Sequence, residues 1–341
     1  MKRLLTLFLA LCLFLAGCGQ GSRPEKNQYT ATFLELFDTV TTVVGREYTE
    51  EAFQVKAQAI KEQLQYYHRL FDIYNDYEGV ANIKTINDQA GKAPVKVEPV
   101  LIDFLLDCKT YYDLTAGKVN VAMGSVLQLW HVARNDGLRD PSQAQLPSMD
   151  SLRQAATHTA FDAIVIDEAA STVYIRDPQT RLDVGAIAKG WATQKVAENA
   201  PQGMLISVGG NVCATGPKTE EGTPWVIGIQ DPDNGDKNLH TIYVTQGAVV
   251  TSGDYQRAYV VDGTYYHHII DPETNMPSTY WRSVSVVCAD SGLADALSTG
   301  LFLMDLEQGK ALASKAGAEV LWVDRDGNEF MTPGFESKLR N

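Results

Sequence analysis

The stretch "LDVGAIAKGWATQKVAE", residues 182–198, combines an acid, two glycines and a lysine between an apolar run and a helical pattern. Gly185 and Gly190 bracket a turn, and Lys189 stands where the helix is predicted to begin. Backbone amides at a helix N-terminus favour anions, and the ammonium group adds positive charge there. Asp183 repels phosphate, so we expect it to face a sugar hydroxyl, a ring nitrogen or a metal. The alternative is a structural turn with a surface lysine, since neither a Walker A motif nor G-x-G-x-x-G is present.

Outward from this stretch, short strands are interspersed with helices. Apolar residues at helical spacing predict helices over residues 50–77, 101–114, 189–198, 293–304 and 306–316. Alternation with β-branched residues predicts one or two strands in residues 30–49 and further strands at 163–166, 172–175, 205–208, 225–229, 240–244, 258–261 and 283–287. The order lacks strict βαβ alternation. We therefore predict an α+β fold, with one domain of mixed and antiparallel sheets and packed helices over residues 29–341.

The N-terminus has the pattern of a secretory signal. Lys2 and Arg3 precede an apolar run at residues 4–16, which is too short to span a bilayer. The run ends in "LAGC", which resembles a lipobox, so we expect a lipoprotein signal peptide over residues 1–17 and lipidation of Cys18. Residues 18–28 then form the lipidated cysteine and a flexible tether. The expected location is extracytoplasmic, lipid-anchored to the bacterial membrane; the alternative is an incidental cysteine in an ordinary signal peptide.

Charge and cysteine content exclude several classes of function. The formal net charge of −13 argues against nucleic acid as a partner, because phosphate binding needs a basic footprint. It also argues against a polybasic grip on anionic lipid. Cys108, Cys213 and Cys288 show no metal-ligand or redox spacing, so we expect buried free thiols rather than a disulfide.

A second candidate site lies in "GLADALSTGLFLM", residues 292–304. Asp295 and Thr299 are separated by one helical turn and share a helix face. Both offer oxygen, the ligand type that Mg²⁺ prefers. The alternative is a helix that carries an Asp–Thr hydrogen bond, and Asp290 is expected in a loop or as a helix cap.

The segment "TYYHHIIDPETNMP", residues 264–277, predicts a strand that ends in a turn. His267 and His268 then point to opposite faces, and one of them can serve as a general base near neutral pH. The alternative is one core and one surface histidine. In "GKVNVAMGSVLQLW", residues 117–130, small residues after a predicted strand would fit a flat ligand, and simple packing is the favoured alternative.

Together these segments occur in an order that resembles the ApbE family of FAD:protein FMN transferases. The matching segments are "LDVGAIAKGWATQKVAE", "LISVGGNVCATGPK", "VVTSGDYQRAYVVDGTYYHHIIDPETNMP" and "VSVVCADSGLADALSTGLFLM", preceded by "FDIYNDYEGVANIKTIN" and "VNVAMGSVLQLW". The resemblance extends from about Phe37 to the C-terminus. It implies an enzyme that binds FAD as substrate together with Mg²⁺. Such an enzyme passes FMN to a Thr or Ser hydroxyl of an acceptor protein and releases AMP.

The resemblance also implies roles for particular residues. His268 is expected to deprotonate the acceptor hydroxyl. The metal would be held by Asp295, Thr299 and the backbone carbonyl of Ala186. The expected FAD contacts are Phe37, Tyr74, Ala122, Met123, Gly124, Asp183, Lys189 and Ile269. The expected partner is an extracytoplasmic electron-transfer subunit with a Ser/Thr-Gly-Ala-Thr-like flavinylation motif.

Two segments depart from the family pattern. The usual Met-Gly-Thr is "FDT" here, residues 37–39, with Asp38 in place of the glycine, and the frequent Ser-x-Tyr is "DIY", residues 72–74. Three alternatives remain open from the sequence. They are an Mg²⁺-dependent FAD pyrophosphatase that gives FMN and AMP, a non-catalytic FAD-binding lipoprotein, and a lipoprotein without a small-molecule site.

Overall fold

Strands and helices alternate irregularly along the chain in the computed structural model, which describes residues 25–340. Residues 1–24 and 341, and with them the predicted signal peptide and Cys18, lie outside the described residues. The strands are β1 (Asn27–Leu36), β2 (Thr39–Glu47), β3 (Val95–Lys96), β4 (Ile164–Asp167), β5 (Thr172–Ile175), β6 (Met204–Val208), β7 (Asn211–Ala214), β8 (Trp225–Asp231), β9 (Asn234–Val244), β10 (Gly247–Gly253), β11 (Ala258–Val261), β12 (Thr264–His267), β13 (Trp281–Cys288), β14 (Glu319–Asp324) and β15 (Glu329–Met331). The helices are α1 (Glu50–Phe71), α2 (Ile83–Asp88), α3 (Pro99–Leu114), α4 (Gly124–Arg139), α5 (Met149–Ala156), α6 (Ala188–Asn199), α7 (Ser291–Phe302), α8 (Leu306–Ala316) and α9 (Pro333–Glu336).

The largest sheet has the strand order β1-β2-β6-β7-β10-β13-β14-β15. Each neighbouring pair in it is antiparallel. Smaller antiparallel sheets are β3-β5-β4, β8-β9 and β11-β12. Packed helices beside antiparallel sheets confirm the α+β prediction. The predicted domain start at residue 29 stays a prediction, and β1 already begins at Asn27, inside the predicted tether.

The large sheet is covered on both faces. Helices α1, α3 and α6 form one core with β2 and β6, and α7 and α8 form another with β10, β13 and β14. The β8-β9 hairpin packs on the opposite face. Along β10 the neighbours Val249 and Val250 belong to different cores, because successive strand side chains point to opposite faces.

Burial on both faces explains why two strands of the large sheet, β10 and β14, were missed by the sequence analysis. β10 and β14 read as continuous apolar runs without alternation, so periodicity gave no signal for them. The short strand β7 was missed as well. The predicted helices 189–198, 293–304 and 306–316 are confirmed as α6, α7 and α8, and Asp290 caps α7 by accepting a bond from the Leu293 N–H at 2.7 Å.

Three local predictions are wrong. The helix predicted over residues 50–77 ends at Phe71, because the Asp72 side chain accepts hydrogen bonds from the backbone N–H groups of Tyr74 and Asn75. The strand predicted before Gly124 is a turn that leads directly into α4. The predicted free thiols are confirmed, but Cys288 is only partly buried. Within residues 25–340, no helix combines the length and apolar character needed to cross a bilayer.

Candidate active site

A cavity of about 840 Å³ lies where the end of α1, the β1–β2 turn, the N-termini of α4 and α6, helix α7 and the segment after β12 meet. Its volume is typical of small-molecule sites. The predicted site residues that line it are Phe37, Tyr74, Met123, Asp183, Ala186, Lys189, His268, Ile269, Asp295 and Thr299. The structure thus brings together segments that are far apart in the sequence.

Two glycines of the opening stretch have different roles. A Cβ atom at Gly190 would lie 2.3 Å from the Ser291 carbonyl oxygen and 2.4 Å from Asp295 Cβ, so only glycine lets α6 approach α7 this closely. The Gly190 N–H donates to Asp295 Oδ2 at 2.8 Å. At Gly185 the nearest atom to a Cβ is Asp183 Oδ1, at 3.2 Å. Gly190 therefore fixes the helix pair, whereas Gly185 shapes the turn.

Asp295 is a buried carboxylate, with 4 % of its surface exposed. Burial raises its pKa, against the opposing effects of the Lys189 ammonium and the Gly190 N–H. Lys189 Nζ lies 3.8 Å from Asp295 Oδ2, beyond hydrogen-bond distance, and donates instead to the Gly185 carbonyl at 3.2 Å. Lys189 is therefore a cavity residue rather than a free surface lysine.

Thr299 lines the cavity one helical turn beyond Asp295. No side-chain hydrogen bond joins Asp295 to Thr299 in the part of the chain that the structure describes, so the alternative of an internal Asp–Thr bond is wrong. The Thr299 hydroxyl is 3.5 Å from Ser252 Oγ.

The Ala186 carbonyl has no backbone partner among the described residues. The Gly190 N–H, four residues further on, is directed at Asp295 instead, and no backbone N–H of residues 25–340 donates to the Ala186 carbonyl. That carbonyl oxygen is available to a ligand.

His267 lies in the protein core, whereas His268 faces the cavity. His267 is buried, and its Nε2 lies 2.8 Å from the Ser278 carbonyl oxygen. His268 lines the cavity, and its Nδ1 is buried with no hydrogen-bond partner among the described residues. Burial, together with the positive charges of Arg257, Lys189 and Arg134, lowers the pKa of His268 to about 3.

The turn after His268 is tied to the segment that precedes α4. Lys118 Nζ lies 3.1 Å from Asp271 Oδ1 and 2.9 Å from Glu273 Oε1. The Trp130 indole N–H donates to the Asn275 carbonyl at 3.0 Å. These contacts join the turn that follows His268 to α4 and to the segment before it.

Tyr74 stands at the edge of the cavity, with 62 % of its surface exposed. Its hydroxyl is 3.4 Å from His131 Nδ1 on α4. His131 Nε2 is 3.9 Å from Asp183 Oδ2, and Asp183 Oδ1 accepts a bond from the Gly185 N–H at 3.0 Å. Burial lowers the pKa of His131, while the Asp183 carboxylate opposes that shift. His131 thus links two predicted FAD contacts.

Ala122 and Gly124 lie behind the cavity wall, in contrast to Met123. Ala122 is fully buried, and the Gly124 N–H donates to the Arg181 carbonyl at 2.9 Å. A Cβ atom at Gly124 would lie 2.5 Å from that carbonyl oxygen. Both residues therefore pack against neighbouring residues, which is the alternative that the sequence left open for this segment.

Sequence reasoning missed several cavity residues: His68, Asp72, His131, Asn211 and Arg257. His68 and Asp72 are one helical turn apart at the end of α1, which was a usable signal. Arg257 stood within a quoted family segment without an assigned role. His131 gave no signal because α4 was not predicted.

The sequence matches the model of the ApbE family over residues 37–322. The chain belongs to the ApbE family. The FAD:protein FMN transferase of Treponema pallidum (strain Nichols) is 32 % identical over 277 residues, which cover 76 % of this chain and 75 % of that protein. The FAD:protein FMN transferase of Escherichia coli (strain K12) is 25 % identical over 344 residues, which cover 97 % of this chain and 96 % of that protein.

Solved ApbE structures have the same fold. The ApbE protein from Thermotoga maritima superposes with a TM-score of 0.81 at 28 % identity, covering 92 % of this chain and 100 % of that one. The flavin transferase ApbE from Vibrio cholerae gives a TM-score of 0.75 at 24 % identity over the same shares, and this likeness concerns the fold alone. The family expectation from the sequence is confirmed.

The residues expected to hold Mg²⁺ in this ApbE chain fit a hard cation. The donors are the Asp295 carboxylate, the Thr299 hydroxyl and the Ala186 carbonyl, which are all oxygens. The carboxylate is buried and has no ammonium within hydrogen-bond distance, and the carbonyl lacks a backbone donor. Residues 25–340 contain no group of three or more His, Cys, Asp or Glu side chains suited to a metal. The set therefore suits a cation whose shell is completed by water or phosphate oxygens.

Proposed function

We propose that this chain is an Mg²⁺-dependent FAD:protein FMN transferase, which moves FMN from FAD to a Thr or Ser hydroxyl of an acceptor protein and releases AMP. The observation that carries the proposal is the convergence in one cavity of His268, the oxygen donors Ala186, Asp295 and Thr299, and aromatic residues at the rim. The names of the relatives support the transferase class. The metal, the hydroxyl target and AMP release are inferred from the family resemblance and the chemistry of the cavity.

The proposed reaction is a phosphoryl transfer that balances without a further reactant. The acceptor hydroxyl oxygen forms a bond to the phosphorus of the FMN moiety, the bond from that phosphorus to the bridging oxygen breaks, and AMP leaves with that oxygen. His268 takes the hydroxyl proton. Its Nδ1 is buried, so we assign the accepting role to Nε2.

The electrostatics of the cavity suit an anionic substrate. In the free protein the pKa of His268, at about 3, is too low for an efficient base near neutral pH. The pyrophosphate of FAD offsets the positive charge of Lys189 and Arg257, and the pKa of His268 then rises. Substrate binding therefore shifts His268 towards a stronger base.

Phosphoryl transfer depends on positioning and on neutralising charge more than on covalent catalysis. Mg²⁺, held by the Ala186 carbonyl, Asp295 and Thr299, would neutralise charge on the pyrophosphate oxygens. Lys189 adds a fixed cation at the start of α6, where backbone N–H groups also favour anions. Phe37 and Tyr74 offer aromatic surface to the flavin ring, and Asp183 offers a hydrogen-bond acceptor to its polar groups.

We also propose that the chain is extracytoplasmic and anchored to the bacterial membrane by lipid on Cys18. Support comes from the basic, apolar and small-residue order of the N-terminus and its "LAGC" ending. The acceptor is then an exported or membrane protein with a Ser/Thr-Gly-Ala-Thr-like motif. A Cys18→Ala chain should lose palmitate labelling and leave the membrane fraction, whereas retention in that fraction would contradict the anchor.

The test of the transferase uses the full chain in mild detergent with FAD, Mg²⁺ and an acceptor that carries the Ser/Thr-Gly-Ala-Thr motif. Intact mass should show a gain of one FMN residue on the acceptor, lost with EDTA. The matched control is the same acceptor with valine in place of the final threonine. Release of FMN and AMP without a mass gain would identify an FAD pyrophosphatase. Bound but unchanged FAD would identify a carrier.

A further inference from the structure

The turn between β1 and β2 has an unusual backbone conformation. Phe37 and Asp38 both have positive φ, 53° and 51°, and Leu36 pairs with Thr39 across the turn. Two-residue hairpin turns of this kind favour glycine, because side chains are disfavoured in the left-handed region. This chain has no glycine there. Such a conformation persists only where surrounding contacts impose it.

His68, in the last turn of α1, supplies one of these contacts. Its Nδ1 accepts a hydrogen bond from the Phe37 N–H at 3.2 Å. The two rings also meet edge to face, with centroids 5.5 Å apart and an interplanar angle of 78°. On the other side of the turn, the Gly209 N–H donates to the Val40 carbonyl at 3.0 Å. His68 is the side chain that holds the Phe37 backbone itself.

From His68 the contacts continue to Tyr74. His68 Nε2 is 3.5 Å from the Tyr77 hydroxyl, which donates to Asp72 Oδ2 at 2.7 Å. Asp72 Oδ1 accepts from the Tyr74 N–H at 2.6 Å. Burial raises the pKa of Asp72, but hydrogen bonds from Asn75, Tyr74 and Tyr77 outweigh it and leave that pKa below its usual value.

Asp72 is therefore a fixed anionic anchor, with 9 % of its surface exposed. It joins the two aromatic rim residues of the cavity, Phe37 and Tyr74, through a single set of contacts that starts at His68. His68 and Asp72 both line the same cavity. Neither residue is required for the proton transfer assigned to His268.

We propose that His68 is a positioning residue, which holds Phe37 directly and Tyr74 through Tyr77 and Asp72, so that both rings are preset for the flavin of FAD. The proposal rests on the proposed function only in taking FAD as the ligand. Loss of the His68 contact should weaken FAD binding and leave the turnover rate of bound substrate nearly unchanged, because the hydrogen bonds of His68 go to Phe37 and Tyr77 and not to His268 or the expected metal ligands.

The test measures the dissociation constant of FAD by flavin fluorescence, with kcat and KM for transfer, on the full chain in detergent. We expect His68→Ala to weaken FAD binding about fivefold, the effect of one hydrogen bond, with kcat within about twofold. His68→Asn keeps an acceptor and should recover most of the affinity. Adding Asp38→Gly to His68→Ala should also recover affinity, because glycine adopts the turn without support.

Two outcomes would overturn the proposal. One is an FAD dissociation constant unchanged in both His68→Ala and Tyr77→Phe. The other is a loss in His68→Ala that falls on kcat or that neither His68→Asn nor Asp38→Gly relieves. Tyr77→Phe removes only the bridging hydroxyl, so it serves as the probe if His68→Ala does not fold. A wild-type chain that binds FAD without transferring FMN would refute the proposed function and leave this test intact.

Discussion

Replacement of Gly190 by alanine tests the contact that joins the opening stretch to Asp295. The added Cβ would lie 2.3 Å from a backbone oxygen, Ser291 O, and 2.4 Å from Asp295 Cβ, so no side-chain rotation relieves the overlap. Overpacking of this kind costs about 3 kcal/mol at the upper end, and alanine regains about 1 kcal/mol of helix propensity. We therefore expect a net loss of about 2 kcal/mol.

The assay is thermal unfolding followed by circular dichroism, with EDTA and with Mg²⁺. A loss of about 2 kcal/mol lowers the Tm by about 3 °C in a chain of this size, and the stabilisation by Mg²⁺ should shrink because Asp295 is displaced. The matched control is Gly185→Ala, where the nearest contact is 3.2 Å, to a side chain. It should stay within about 0.5 kcal/mol of wild type. A Gly190→Ala chain that melts at or above the wild-type temperature would show that the α6–α7 contact does not require glycine.

Three further changes probe the charges of the site. Because the pKa of Asp295 is raised, the folded chain keeps a proton that the unfolded chain loses near pH 4. The metal-free stability should therefore fall as the pH rises from about 4 through the raised pKa. Thermal melts in EDTA should show that Asp295→Asn lacks this fall, and melts with Mg²⁺ should show that the metal no longer stabilises it. Arg257→Gln removes a cation that lowers the pKa of His268, so the acid limb of kcat/KM should move to higher pH, and an unmoved limb would count against this charge effect. Lys118→Met breaks the ion pairs at 3.1 and 2.9 Å that anchor the turn after His268. The kcat should then fall about tenfold, while the FAD affinity measured by fluorescence stays the same. An unchanged kcat would argue against this anchoring.

The sequence predicted best those features that depend on residues close together in the chain. The start of α6 and the cap of α7 at Asp290 follow from short-range patterns, and both were predicted nearly to the residue. The cavity membership of Asp295 and His268 followed from the order of family segments. Gly190 was expected to bracket a turn, but the structure shows that it is needed for a packing contact with α7.

Long-range contacts account for what the sequence could not supply. The bond from Gly190 to Asp295 joins residues 105 positions apart, and no pattern along the chain encodes it. His131 reaches Tyr74 and Asp183 only because α4 packs beside them. Ala122 has the small side chain expected of a ligand wall, yet it is buried behind the wall, a distinction that needs the third dimension.

Intact mass of the acceptor shows whether the chain transfers FMN and whether His268 is the base. The wild-type chain, His268→Ala and a control, His240→Ala, are each incubated with FAD, Mg²⁺ and the acceptor, after FAD binding has been verified by fluorescence. His240 lies away from the cavity, where it pairs with Glu329. We expect one added FMN residue on the acceptor with the wild-type and His240→Ala chains and none with His268→Ala, which still binds FAD. Equal FMN transfer by His268→Ala would contradict the role of His268 as the base, and no transfer by the wild-type chain would contradict the transferase function.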